Sequence, residues 1–211
     1  LDVIQVQLTD LQAFDGTAFS VVTKANEVGG QEFAPLGIDP PTGSALYMGF
    51  SPPDKPATGP VFPREIRLRV FLAEAAQAGS AQGGDAAKTP PVAPVELVWE
   101  YHPATDPKRW QPLNVYLDES LGFTREGYVK LEGPKLIALS QVGKVKEERY
   151  WLRARLAGGT YPAGRVPQVD FIRFNTVPAI NLATVREEQV GVSAGTPAQV
   201  FKLFRRPVVK D

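Results

Sequence analysis

The 211 residues contain no cysteine, one histidine and one methionine, and lysine plus arginine equals aspartate plus glutamate at 23 each. The missing cysteine excludes a disulfide framework, thiolate metal sites and cysteine catalysis. With His102 alone to supply imidazole, zinc has only carboxylates left to bind it, although it prefers nitrogen and sulfur. Charge balance leaves no net field toward nucleic acid or an anionic membrane. No apolar run approaches the ~18 residues of a membrane helix, and the N-terminal LDVIQVQL alternates where a signal peptide would carry an apolar block.

Nucleotide-binding patterns are also missing, and catalytic ones have little support. G-x-S-x-G occurs once, as Gly191-Val192-Ser193-Ala194-Gly195 within a stretch read as a turn, but the one histidine that could complete a triad, His102, precedes Pro103 in a strand-tip loop, where it reads as a solvated histidine. Neither G-x-G-x-x-G nor G-x-x-x-x-G-K occurs. The doublets Asp118-Glu119, Glu147-Glu148 and Glu187-Glu188 cannot face one another across a cleft, because neighbours on a strand point to opposite faces. Asp15 or Asp118 with loop carbonyls would suit calcium, but the D-x-D-x-D-G pattern is lacking. These readings give no cofactor, no metal and no enzyme.

What is present is alternation. In VELVWEY, Val95, Leu97, Trp99 and Tyr101 share one face, with Glu96 and Glu100 on the other. In RYWLRARL, Tyr150, Leu152, Ala154 and Leu156 oppose Trp151, Arg153 and Arg155. EIRLRVFL places Ile66, Leu68, Val70 and Leu72 against Arg67, Arg69 and Phe71. Period two with one apolar side is how an antiparallel sheet with one solvated face is written. Further strands are expected in LDVIQVQLTD (Ile4, Val6 and Leu8 inward), FSVVT (19–23), LYMGF (46–50), RWQPLNVYLD (109–118), GYVKL (127–131), VDFIRFN (169–175), AINLATVREE (179–188) and QVFKLFR (199–205). With 19 glycines and 20 prolines marking turns, about ten short strands predict an all-β antiparallel sandwich, jelly-roll-like, over 1–177. Residues 73–94, low in complexity and rich in Ala, Gly, Gln and Pro, read as a flexible loop. Residues 178–211 read as an extended C-terminal segment toward a following domain, and a start at Leu1 reads as a domain of a longer protein.

The order Trp99-Glu100-Tyr101, Trp110 to Leu113, Asp118 to Val129 and Tyr150 to Tyr161 resembles baseplate assembly proteins, the baseplate J-like components of phage-tail-like contractile injection systems. The likeness extends to Leu46–Phe50, Ile172–Ala179 and Gly195–Val208, about three quarters of the chain. It departs at the tip HPATDPKR, where the family pattern carries a shorter turn. The resemblance implies a structural, non-enzymatic wedge or baseplate component, made in the bacterial cytoplasm and built into a particle that can be released. Its partners would be other baseplate, sheath or tube subunits, with no nucleic acid and no membrane insertion.

Two sets of contact residues follow from the strand faces. Arg67, Arg69, Glu96, Glu100, Trp151, Arg153 and Arg155 lie on non-core faces, and adjacent strands would join them into a ladder of alternating sign that docks a neighbouring subunit. His102, Arg109 and Trp110 are candidate tip contacts. The alternative is a carbohydrate-binding or adhesin sandwich that grips sugar rings with exposed Trp110 or Trp151. Trp99, alternating with core residues, reads as packing.

Overall fold

The computed structural model describes residues 6–27, 31–53, 60–73, 94–162, 165–176 and Gly195. Most of the 73–94 loop and the strand readings at 179–188 and 199–205 lie outside the described residues. Those described, apart from Gly195, belong to the compact unit Leu1–Val177.

The fold is an all-β sandwich of two antiparallel sheets. Sheet A contains β1 (Gln7–Phe14), β2 (Phe19–Val21), β3 (Ala45–Ser51), β5 (Val95–Tyr101), β6 (Gln111–Pro112), β9 (Leu139–Ser140) and β10 (Arg149–Gly159). Its order is β2-β1-β3-β10-β5-β6, with β9 paired to β10. Sheet B contains β4 (Glu65–Leu72), β7 (Val115–Asp118), β8 (Gly127–Glu132) and β11 (Val169–Phe174), in the order β11-β4-β8-β7. The pairs β4–β11, β5–β10 and β7–β8 nest inside one another and alternate between the sheets, the rolled pairing of a jelly-roll kind.

The core lies between the sheets, built from the inward positions that the alternation marks. Ile66, Leu68 and Val70 from β4 and Val129 and Leu131 from β8 meet Leu46, Met48 and Phe50 from β3 and Leu152, Ala154 and Leu156 from β10. Trp99 is buried among them, edge-on to Phe123 at 6.2 Å.

Three expected elements shift. Of the first expected strand, residues 1–5 lie outside the described residues; the strand runs on past Asp10 to Phe14, with a bulge between Leu8 and Asp10 in its register against β3. FSVVT stops pairing at Val21; the Thr23 hydroxyl accepts from Leu11 N at 2.9 Å, and a short helix α1 (Thr23–Glu27) follows. RWQPLNVYLD is two strands on two sheets: β6 pairs with β5, Pro112 supplies no ladder donor, and β7 crosses to pair with β8.

Candidate functional site

The two outer sheet faces carry the predicted contact residues, and the structure divides them. Arg67 and Arg69 belong to sheet B, whereas Glu96, Glu100, Trp151, Arg153 and Arg155 belong to sheet A. The expected single ladder therefore does not form; strand alternation identifies a face but not which strands are neighbours. On sheet A, β5 and β10 do pair, with Arg153 directly opposite Glu100.

That part of sheet A is buried and locked. Glu100 is only 7% exposed. Arg153 Nε donates to its Oε2 at 2.7 Å, and Arg155 donates from Nε to Oε2 and from Nη2 to Oε1, each at 3.0 Å. Burial alone would raise the carboxyl's pKa, but hydrogen bonds from Arg155 and Arg153 prevail and hold it below its ordinary value. The same bonds raise the Arg155 pKa. Arg153 also donates to the Tyr47 hydroxyl at 3.0 Å and lies 4.2 Å from the Trp110 ring centre. Trp110 in turn stacks on His102 at 3.7 Å.

Trp151, expected as an exposed platform, is fully buried in a second apolar cluster with Ala45, Tyr47 and Val145 on this outer face. Two features make room for and cover it. Gly49 sits opposite, where a Cβ would approach the indole to 2.9 Å. The segment 138–148 folds over the face: Trp151 Nε1 donates to Ser140 O at 2.9 Å, and buried Gln12 grips the turn by donating to Val142 O and accepting from Lys144 N.

His102 is likewise buried, not solvated, with Nδ1 2.9 Å from Ser140 Oγ. Burial, then the Arg153 charge, depress its pKa, making it a weak base. Of the other tip contacts, Arg109 is exposed and Trp110 is half-buried between Arg153 and His102. A shallow cleft of about 350 Å³ opens nearby, lined by Tyr101, Gln111, Leu113, Glu132, Lys135 and Leu136; neither His102 nor Ser140 forms its wall.

The residues shared with the baseplate pattern are also mutually engaged. Leu113 N donates to Trp99 O at 2.7 Å, and Tyr161 Oη donates to Gly122 O at 2.6 Å. Asp118 Oδ1 accepts from both the amide and hydroxyl of Ser120, shaping a turn in which Leu121, Gly122 and Phe123 all have positive φ. At Gly122 a Cβ would meet Val95 at 2.5 Å.

Sheet B's outer face is built differently. Arg69 lies over Phe71 (4.8 Å) and Tyr128 (5.0 Å) and donates to the Tyr128 hydroxyl at 3.0 Å. Phe71 stacks on Phe171 at 4.4 Å, and Arg173 lies over Phe171 at 4.5 Å. Like charges oppose one another across its strands: Arg69 faces Arg173, Arg67 faces Lys130, and Glu65 faces Glu132. The sequence shows the cations but not this register.

No protein-family model matches the chain, and no curated protein sequence matches it. Among the described residues no helix is long and apolar enough to cross a membrane.

Proposed function

We propose that this chain is a structural domain of a contractile, phage-tail-like injection particle, a baseplate or wedge component that works through protein contacts and catalyses no reaction. The supporting observation is the use made of the residues that carry the baseplate resemblance. Trp99, Glu100, Leu113, Asp118, Phe123, Arg153, Arg155 and Tyr161 are joined through packing, ion pairs and hydrogen bonds within one sandwich. Their chemistry is committed to rigidity, which suits a subunit that transmits force between neighbours.

The carbohydrate-binding alternative loses one of its two tryptophans, since Trp151 is buried, and Trp110 has its ring flanked by Arg153 and His102. Purification of the protein from its native source, with mass spectrometry of its companions, tests the proposal. Co-purification of sheath, tube and other baseplate proteins is the expected result. Isolation of the protein alone, with retention on polysaccharide that Trp110→Ala abolishes, would overturn it.

A further inference from the structure

We propose that the outer face of sheet B is a docking surface for an extended, carboxylate-bearing segment of a neighbouring protein subunit. This deepens the assembly reading and rests on it for the origin of the partner. The observation that carries it is the charge register. A sheet face that only meets solvent gains by pairing opposite charges across its strands, and like charges placed opposite are destabilising. Sheet A follows that rule, with Arg153 opposite Glu100 and Arg149 bridged to Asp10 at 2.7 Å. Sheet B breaks it twice at its centre, with Arg69 opposite Arg173 and Arg67 opposite Lys130. Arg67 bonds to Glu65 on its own strand, but among the described residues Arg69, Lys130 and Arg173 have no carboxylate partner.

Arg69 is held ready for one. Two rings flank its guanidinium and the Tyr128 hydroxyl takes one Nη1 bond, which together fix its orientation. Fixing the fork in advance lowers the entropy that a carboxylate partner must otherwise remove.

Geometry narrows the partner. Along β4, Arg67, Arg69 and Phe71 recur at every second residue, about 7 Å apart. A facing strand with two carboxylates at alternate positions and an aromatic two residues further matches that row. The carboxylates at one margin, Glu65 and Glu132, disfavour a continuous phosphate backbone. Acidic protein is therefore favoured over nucleic acid.

The test uses a fluorescein-labelled peptide containing Glu-Ser-Glu-Ser-Phe and, for comparison, a labelled oligothymidylate, each titrated into the wild-type chain, Arg69→Met and Lys130→Met. Arg69→Met keeps an aliphatic stem between the rings, and among the described residues the Lys130 side chain makes no ring contact or hydrogen bond, so matching thermal midpoints will show that both variants fold. The expected result is saturable peptide binding that weakens with salt and falls at least about tenfold in either variant. No saturation up to about 1 mM, variants that bind as well as wild type, or tighter binding of the oligothymidylate would overturn the proposal. If the wild-type protein enters the particle but the peptide does not bind, the docking face fails and the assembly reading stands. Peptide binding by a protein that never enters a particle would support the face and remove the assembly reading.

Discussion

Glu100 ties β10 to β5 on the outer side of sheet A, because one carboxylate accepts three hydrogen bonds from two arginines. Its side chain is 9% exposed, so removing it strands two cations in a largely dry setting. Glu100→Ala is expected to cost about 3 kcal/mol in denaturant unfolding, near the lower end for a broken buried pair because Arg155 retains solvent contact. Glu96→Ala, on the same strand but exposed, should cost under about 0.5 kcal/mol. The pH dependence has two parts. A carboxyl held below its ordinary 4.5 contributes stability that is present above that value and is lost as pH falls through its lower folded pKa. His102, held below its ordinary 6.5, acts earlier: under pH 6.5 the unfolded chain takes up a proton that the folded protein resists, so stability declines by up to about 1.4 kcal/mol per pH unit. As His102 is the chain's only histidine, His102→Gln should flatten the stability curve just below pH 6.5, and an unchanged slope would show that the imidazole is not buried neutral.

At the scale of elements, the two sheet faces make opposite predictions. Gly49→Ala places a methyl against the Trp151 indole and Asp10, so the ring must move from under the 138–148 segment. Overpacking of this kind costs about 1 to 3 kcal/mol, and tryptophan emission should shift to the red as the indole meets water. Lys130→Glu should do the reverse on sheet B, gaining a few tenths to about 1 kcal/mol by giving Arg67 an opposite charge across the strand. A stabilising change that also abolishes acidic-peptide binding would separate the demands of folding from those of docking. These elements also show how far the sequence can be read. Strands β4, β5 and β10 were legible because each has an apolar side that period two exposes. Two-residue β6 and β9 show no period, and no local pattern reveals that Gln12, 130 residues distant, anchors the turn at Val142. The burial of Trp151, His102 and Glu100 was therefore hidden: alternation separates the two sides of a strand, but whether a remote segment covers the polar side is a tertiary matter.

For the whole molecule, the sandwich was legible and the assignment of strands to sheets was not. The nested pairing sends β4 and β5 to different sheets although they follow one another in the chain, which splits the arginines at 67 and 69 from those at 153 and 155. The resulting domain has one outer face with its arginines ion-paired and Trp151 under a covering segment, and another with like charges opposed and aromatic rings beside them. On the proposed docking, a neighbouring subunit meets the second face and not the first. These 211 residues contain no cysteine, which allows a direct test: Lys130→Cys and Glu96→Cys each add one thiol to this stretch, on one sheet or the other, to carry a photo-crosslinker into the assembled particle. The expected result is a covalent product with another particle subunit from position 130 and none from position 96. Crosslinks from 96 alone, or from neither position in a fully assembled particle, would contradict it.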